Sequence, residues 1–336
     1  MKEIPQGAVW VRLPRFIGDA VMMGRELEPL RVQGVPLVAW GPDPVADLFA
    51  GSTWFDAAVG DGPLKPGLLA MAQVLRPHRP RALVNMPRSA RGLAAAVLAG
   101  VPERFGWSEG GSRWLCTRHR RFALPGHQGA RYQALLEAGF AHFAAALPRV
   151  FRPRQEIIEE AAQLRAREGI EGGFAVIGLG AAAWIKRLGT PVWKGLLPLI
   201  RDRGLQPVLL GGTFHEDLAQ ARELKDLFPA VHDLCGRTSL PVSAALVAEA
   251  RLTIANDSAL AHLAAACGTP GVTAFGPTQP GRTAPRGPRA RMVRCEDLDC
   301  LGCLSFECRR GDHACMQALP AEQVWAVCRE LLESPD

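Results

Sequence analysis

One stretch of the chain, residues 252–280, constrains the fold more than any other. It begins with a short apolar run that contains two β-branched residues, as is typical of a buried strand. The polar residues directly after this run can cap a helix, and the alanine- and leucine-rich segment that follows stops at Gly268. A second apolar run then leads into a Gly-Pro-Thr turn. This succession of strand, helix and strand predicts one unit of a parallel α/β sheet.

Polar residues stand where both of these predicted strands end. Asp257 and Ser258 follow the first strand, and Thr278 follows the second. Ligands of open parallel sheets bind beyond the carboxyl ends of the strands, so we expect these three side chains to line one crevice. The free N–H groups and the dipole of the intervening helix favour an anion at its start. The stretch therefore predicts a phosphate-binding site.

The same alternation of strands and helices runs through the rest of the chain. A length of 336 residues suits two domains, and we place them at 1–153 and 154–318, followed by a C-terminal helix over 319–336. The alternation predicts an α/β fold with a doubly wound parallel sheet in each domain. The last helix of the first domain is predicted over 128–146, and the link between the domains over 147–153.

Charge and hydropathy narrow the partners and the location. The formal net charge of +6 favours anionic ligands such as nucleotide phosphates or an anionic membrane surface. Nucleic acid is not expected, because no interleaved aromatic and basic motif accompanies the charge. No apolar run reaches the length of a membrane span, and the first residues do not have the pattern of a signal peptide. We expect a cytoplasmic protein, and a peripheral contact with the inner membrane face stays open.

Two segments of the predicted first domain carry candidate polar residues. Asp19 follows the first strand and loop and precedes a helix, so it can cap that helix or present a carboxylate at the end of the strand. The basic segment 113–121, with the sequence RWLCTRHRR, is either a solvated loop or a cationic rim for an anionic acceptor.

In the predicted second domain, Lys186 and Arg187 follow the first strand and can pair with a diphosphate, although surface cations are common. Glu216 lies beyond a glycine pair, where the helix dipole favours a solvated acid in the first turn of the predicted helix. His262 lies one helical turn beyond Ser258, on the same face. A lone histidine on a helix is more often structural than catalytic, so both interpretations stay open.

The motif at 252–280 resembles the signature of the lipopolysaccharide heptosyltransferases, glycosyltransferase family 9. The matching positions are Asn256, Asp257, Ser258, His262, Ala264, Ala265, Ala266, Pro270, Phe275, Gly276, Pro277 and Thr278. Ala259 departs from the pattern, because the family usually has glycine there. Near the N-terminus, Arg12, Gly18 and Asp19 match a second family motif.

The resemblance implies a GT-B fold, with two Rossmann-like domains that face a cleft and a C-terminal helix that crosses back to the first domain. It implies inverting, metal-independent transfer from ADP-L-glycero-D-manno-heptose to an acceptor of the lipopolysaccharide core. The alternatives are another nucleotide sugar with another glycan acceptor, or a non-catalytic binding module.

The resemblance also assigns roles to residues. Asp19 is the expected general base, and Lys186 acts on the leaving diphosphate. The nucleotide-sugar site is expected to comprise Lys186, Arg187, Glu216, Thr238, Asn256, Asp257, Ser258, Ala259, His262 and Thr278. The acceptor site is expected to comprise Arg12, Arg15 and Gly18.

A cysteine-rich segment lies close to the C-terminus. Cys300 and Cys303 have the spacing of half a zinc site, and Cys308 and Cys315 follow within a few residues. These cysteines are interpreted as zinc ligands, as a disulfide or as reduced structural thiols. If they bind zinc, a zinc-bearing nucleic-acid binder is the rival function. Together with His313, these cysteines resemble a segment of the second heptosyltransferase type within the family. The resemblance implies an enzyme without a metal cofactor.

Overall fold

The computed structural model describes residues 3–62, 66–109, 111–122, 126–140 and 150–334. The chain divides into two units, Met1–Arg152 and Pro153–Asp336, one residue from the predicted boundary. Each unit contains one six-stranded sheet in which all neighbouring strands are parallel. The predicted α/β class with a parallel sheet in each half is therefore confirmed.

The sheet of the first unit has the strand order β3-β2-β1-β4-β5-β6. Its strands are β1 Val9–Arg12, β2 Leu37–Gly41, β3 Ala57–Gly60, β4 Ala82–Asn85, β5 Glu103–Trp107 and β6 Arg118–Arg120. Its helices are α1 Ile17–Glu26, α2 Glu28–Val32, α3 Asp43–Ala50, α4 Leu68–Leu75, α5 Arg91–Leu98 and α6 Gln128–Gly139, with 3-10 turns at Arg76–His78 and Ser112–Leu115.

The central strands of this sheet are buried on both faces, as parallel strands covered by helices must be. Trp10 and Trp40 pack edge to face within that core, with ring centroids 6.2 Å apart. The basic segment 113–121, for which a solvated loop and a cationic rim were the two interpretations, forms a 3-10 turn and the short edge strand β6. The helix predicted over 128–146 ends at Gly139, and residues 141–149, which include the start of the predicted link, lie outside the described residues.

The sheet of the second unit has the strand order β12-β11-β10-β7-β8-β9. Its strands are β7 Phe174–Gly178, β8 Gln206–Leu210, β9 His232–Asp233, β10 Leu252–Asn256, β11 Gly271–Ala274 and β12 Ala290–Val293. Its helices are α7 Gln155–Arg167, α8 Thr190–Asp202, α9 His215–Leu227, α10 Leu240–Glu249, α11 Ala259–Cys267, α12 Pro280–Thr283, α13 Ala314–Gln317 and α14 Ala321–Glu333, with a 3-10 turn at Trp184–Lys186.

The stretch 252–280 forms the predicted strand, helix and strand as β10, α11 and β11. Gly268 ends α11 in the left-handed conformation, with φ of 76°, which glycine adopts at little cost. The two strands are neighbours in register, with Asn256 opposite Ala274, so their carboxyl ends meet at one edge of the sheet. This prediction is confirmed at the level of the elements.

The last helix, α14, packs in the second unit against α8, β11 and β12. Its buried face, which includes Val324, Trp325 and Leu331, joins the apolar core of that unit. The approach is close, since a Cβ atom on Gly195 would lie 2.6 Å from the Cβ of Ala321. The structure therefore packs this helix on the core of the second unit, and the expectation that residues 319–336 cross back to the first domain stays a prediction. Apolar side chains on one face were visible in the sequence, but the surface that they cover was not.

The helices of the described residues are all too short or too polar to cross a lipid bilayer.

Candidate functional site

The candidate site of the second unit is built at the carboxyl edge of its sheet, where β10 lies between β7 and β11. Gly178, the last residue of β7, pairs with Ala255 in β10. A Cβ atom on Gly178 would lie 2.8 Å from the Cβ of Ala255 and 3.2 Å from the side chain of Leu260 in α11. The lack of a side chain there lets the start of α11 lie close to the loop after β7.

Asn256 at the end of β10 holds the segment that carries Lys186. Its Nδ2 donates to the carbonyl oxygens of Gly178 and Leu179, at 3.3 and 2.8 Å, and its Oδ1 accepts from the backbone N–H of Leu188 at 2.9 Å. The side chain is fully buried. We had assigned Asn256 to donor binding, but its polar atoms are used within the fold, so it acts by positioning the Lys186 segment.

Lys186 and Asp257 form the central charged pair of this edge. The Nζ atom of Lys186 donates to Oδ2 of Asp257 at 2.8 Å. The lysine side chain is 26% exposed and the aspartate side chain 6%, so the ammonium group is the member of the pair that a ligand can reach. Asp257 directly precedes Ser258, the N-cap residue of α11. The pair therefore presents an accessible cation beside a helix N-terminus.

Two hydroxyl groups at this edge are buried and have no hydrogen-bond partner among the described residues. They belong to Ser258, which precedes α11, and to Thr278, which follows β11. Ser258, one of the polar residues that we expected to cap α11, is the N-cap residue, but its side chain makes no capping hydrogen bond. The first amides of α11, including that of Ala259, therefore have no capping acceptor from that hydroxyl. Buried donors beside a helix start suit the oxygens of a phosphate.

Arg187 forms a second ion pair. Its Nε and Nη2 atoms donate to Oδ1 of Asp217, at 2.9 and 2.8 Å, while Oδ2 of Asp217 accepts from the amide of Gly212 at 2.9 Å. The Asp217 side chain is 1% exposed. Asp217 was absent from our candidates because Glu216 matched the family spacing. The buried acid holds Arg187 in place, whereas Glu216 is exposed in the first turn of α9.

A pocket of about 370 Å³ adjoins Arg187, and the residues that line it are Trp184, Arg187, Leu188, Gly189, Thr190, Pro191, Glu216, Gln220 and Gln317. Two predicted donor ligands, Arg187 and Glu216, thus share one concave surface. Lys186 is adjacent in sequence to Arg187 but does not line this pocket.

The end of the cysteine-rich segment contacts the residues on either side of Lys186. His313 donates from Nε2 to the carbonyl oxygen of Ile185 at 2.5 Å, and its ring and that of Trp184 pack edge to face with centroids 5.0 Å apart. The amide of Gly189 donates to the carbonyl oxygen of Met316 at 2.9 Å. We had noted His313 only beside the cysteines. The contact joins residues 128 positions apart, so local sequence patterns could not reveal it.

We expect His313→Ala to lower kcat/KM for the donor by about 10- to 100-fold, because small displacements of positioned groups are costly in catalysis. The effect should appear mainly in KM if Lys186 binds the donor, and His313→Gln should recover part of it because a side-chain amide can donate to Ile185. Steady-state kinetics and thermal melting measure the two variants. Phe306→Ala, an exposed position of the same segment, is the control. Equal KM values for His313→Ala and the control would contradict this role.

The remaining candidates of the second unit occupy two other places. Thr238 Oγ1 is hydrogen bonded to Ser243 Oγ at 2.7 Å, in the turn before α10. His262 is buried in α11, and its amide donates to the carbonyl oxygen of Ser258 at 3.5 Å. The placement of His262 on the helix that starts at the candidate site agrees with the predicted turn of separation from Ser258.

In the first unit, Asp19 lies in the first turn of α1 and is half-buried. The helix begins after Phe16, so Asp19 is not the capping residue, and that alternative is wrong. Its carboxylate lies near Tyr132 of α6. Burial is the main cause that raises the pKa of Tyr132, and the negative charge of Asp19 raises this pKa further.

The predicted acceptor ligands of the first unit differ in accessibility. Arg12 makes a bidentate ion pair with Asp61, at 2.5 and 2.6 Å, and its guanidinium stacks over Trp40 at 4.5 Å. Arg12 is therefore held within the unit. Arg15 is exposed in the loop before α1, and Gly18 is the second residue of α1.

The cysteine-rich segment contains free thiols, since all nine cysteines of the chain are unpaired. Within the described ranges, no group of three or more His, Cys, Asp or Glu side chains is arranged to hold a metal ion. Burial, followed by the neighbouring thiols of Cys300, Cys308 and Cys303, raises the pKa of Cys315 to about 11. The segment is anchored through its backbone instead, because Gly302 donates to the carbonyl oxygen of Gly276 at 2.9 Å.

We expect Cys315 to react with iodoacetamide about 100-fold more slowly at pH 8 than an unperturbed thiol, because its raised pKa leaves that much less thiolate. Cys303, which is exposed, should be modified first in the native protein. Time-resolved peptide mapping measures both rates, and the difference should vanish in denaturant. Protection of Cys303 that a chelator removes would instead indicate a bound metal ion.

Two six-stranded parallel α/β units, one of which carries an accessible cation beside a helix N-terminus at its strand ends, are the components expected of the GT-B class. The structure of E. coli ADP-heptose lipopolysaccharide heptosyltransferase II has the same fold, with a TM-score of 0.78 at 21% identity over 97% of this chain and 98% of that one. The family model of glycosyltransferase family 9 (heptosyltransferase) matches residues 69–313. The chain belongs to this family.

Two curated relatives show how the similarity is distributed. Lipopolysaccharide heptosyltransferase 1 of Salmonella typhimurium is 38% identical over 89 residues, which are 26% of this chain, so the chain spans about a quarter (27%) of that relative's length. Lipooligosaccharide heptosyltransferase 2 of Haemophilus influenzae is 24% identical over 342 residues, with 95% of this chain and 97% of the relative covered. The similarity is therefore strongest locally and extends weakly along the whole chain.

Proposed function

We propose that this protein transfers a heptose from ADP-L-glycero-D-manno-heptose to an acceptor of the lipopolysaccharide core, with inversion and without a metal cofactor. Family membership and the relatives named for heptosyl transfer support the reaction class. The single observation that carries the donor site is the Lys186–Asp257 pair beside the N-terminus of α11.

The donor site supplies positive charge where the leaving group develops negative charge. As the bond between the anomeric carbon and the diphosphate breaks, the ammonium of Lys186 and the amides at the start of α11 stabilise the released ADP. The hydroxyls of Ser258 and Thr278, both buried, are further donors at this edge. Preorganised donors of this kind can take the part that a divalent cation plays in other transferases.

Asp19 is the proposed general base. The acceptor hydroxyl attacks the anomeric carbon from the face opposite the diphosphate, its proton passes to the carboxylate, and ADP leaves. The new glycosidic bond replaces the sugar–phosphate bond, and the configuration at the anomeric carbon inverts because the attack comes from the face opposite the leaving group. Arg15, exposed in the loop before α1, is available to an anionic acceptor.

The implied partners are an ADP-sugar donor and a glycolipid or glycan acceptor, and we place the protein in the cytoplasm without a role in nucleic-acid binding. A second candidate, transfer from another nucleotide sugar, is favoured by one departure. Ala259 stands where the family usually has glycine, and its Cβ limits how closely a phosphate approaches the amide.

The test combines binding and turnover with the purified protein. A thermal-shift panel of ADP, UDP, GDP and CDP should show stabilisation by ADP, since a ligand that binds only the folded state raises its melting temperature. With ADP-heptose and a lipopolysaccharide-core acceptor, ADP release should depend on the acceptor and persist in EDTA, and NMR of the product should show an inverted anomeric centre. Selective stabilisation by another nucleotide would favour the second candidate, and loss of turnover in EDTA would overturn the metal-independent mechanism.

A further inference from the structure

An exposed surface of the first unit combines a tryptophan with a cluster of basic residues. We call it the Trp114 surface, and its members are Arg113, Trp114, Arg118, His119, Arg120 and Arg121. The Trp114 side chain is 84% exposed, the largest value among the bulky apolar side chains of the described residues. Six of the eight tryptophans of the chain are buried, with exposures of 9% or less. An exposed tryptophan is therefore exceptional in this protein and requires an explanation.

The charge of the Trp114 surface has one sign. Residues 113–121 contain four arginines and one histidine and no acidic residue. None of these four arginines has an ion-pair partner within the described part of the chain, although Arg118 donates to the carbonyl oxygen of Gly139 at 3.0 Å. The guanidinium of Arg113 lies over the Trp114 ring at 5.6 Å. The positive charge is thus available to an external anionic partner.

The fold explains the arginines only in part. The strand β6 lies at the edge of its sheet and pairs with β5 on one side, and its three side chains are all exposed. Charged residues on an edge strand prevent pairing with another chain, and this alone accounts for Arg118 and Arg120. It does not account for Trp114, which lies in the 3-10 turn before the strand. Exposure of its large apolar ring to water is unfavourable.

We propose that the Trp114 surface docks on an anionic lipid bilayer. Tryptophan is suited to the headgroup layer, because its ring is amphipathic and its N–H can still be hydrogen bonded there. Arginines around it are attracted to anionic lipids, and each contributes about a fivefold increase in affinity near the surface at moderate ionic strength. A protein that held only a soluble anion would need the arginines but not an exposed indole ring. The proposal does not depend on the proposed transfer reaction.

Vesicle co-sedimentation tests the docking, with phosphatidylcholine vesicles that contain or lack phosphatidylglycerol. The full-length protein should bind the anionic vesicles, with a blue shift of its tryptophan fluorescence, and leave the neutral ones in the supernatant. Trp114→Ser should weaken binding about 10-fold and abolish most of the blue shift. The double variant Arg120→Gln with Arg121→Gln should weaken binding about 25-fold at moderate ionic strength, and its difference from the unaltered protein should shrink at high salt, because the charges are then screened.

Matched controls separate the surface from general effects. Leu69→Ser removes an exposed apolar side chain elsewhere in the first unit, and Arg203→Gln with Arg222→Gln removes the same charge from the second unit. Both should bind anionic vesicles as the unaltered protein does, and melting curves confirm that every variant is folded. Equal vesicle binding by all variants, or no binding by the unaltered protein, would overturn the proposal. So would tighter, Trp114-dependent binding to a single-stranded oligonucleotide than to vesicles.

Discussion

Replacing Asp19 by asparagine is expected to lower kcat by about 10²- to 10⁴-fold, because the acceptor hydroxyl then lacks its general base. The KM for the nucleotide sugar and the affinity for ADP should change little, since the donor groups belong to the second unit. The variant should remain folded. A first-turn acid contributes only about 0.3–1 kcal/mol to helix stability, so the melting temperature should fall slightly.

Two control variants separate the loss of the general base from a loss of helix stability or packing. Glu156→Gln replaces an exposed first-turn acid of α7 and should leave kcat unchanged. Its melting temperature measures how much stability is lost when a first-turn acid is removed. Tyr132→Phe alters the buried neighbour whose pKa responds to Asp19, and it should retain most of the activity. Near-normal turnover by Asp19→Asn would refute the base assignment. A loss of the same size in Tyr132→Phe would show that packing against α6, and not proton transfer, explains the effect.

The second large effect is expected at Lys186. Lys186→Met should lower kcat/KM by about 10²- to 10³-fold, because the leaving diphosphate loses a preorganised cation. The same change leaves the buried carboxylate of Asp257 without its partner, and we expect a loss of about 1.5–3 kcal/mol in unfolding free energy. Donor kinetics, ADP titration calorimetry and denaturant unfolding measure these consequences separately.

A double variant distinguishes the two roles of Lys186. Lys186→Met with Asp257→Asn removes the unpaired charge, so it should recover much of the stability but none of the donor affinity. Lys194→Met, an exposed lysine of α8, is the matched control and should behave as the unaltered protein. If the double variant recovered ADP binding together with stability, Lys186 would be a structural residue and the donor site would have to be placed elsewhere.

Much of the fold could be predicted because its signals are local. The apolar run of β10, the polar residues after it and the glycine that ends α11 are neighbours in sequence, and each limits the backbone directly. The same logic brought Asp257, Ser258 and Thr278 to the carboxyl edge of the sheet, since parallel neighbouring strands end together. The predicted α/β class and the two-domain division follow from such patterns repeated along the chain.

The partners of the candidate residues could not be predicted in this way. Glu216 and Asp217 are adjacent acids, and only the packing of α9 makes Asp217 the buried partner of Arg187. Likewise, an apolar face marks α14 as a packed helix but does not specify which unit it covers.

The sequence by itself determined which segments become strands and helices and which polar residues stand at their ends, because backbone propensity and periodicity act over a few residues. The tertiary structure decided what each polar side chain does. The bond from Leu188 to Asn256 spans 68 positions and that from His313 to Ile185 spans 128, and both fix the turn that presents Lys186. Such contacts depend on the folded paths of distant segments, and the free energy of burying unpaired polar groups selects them only once the core has formed.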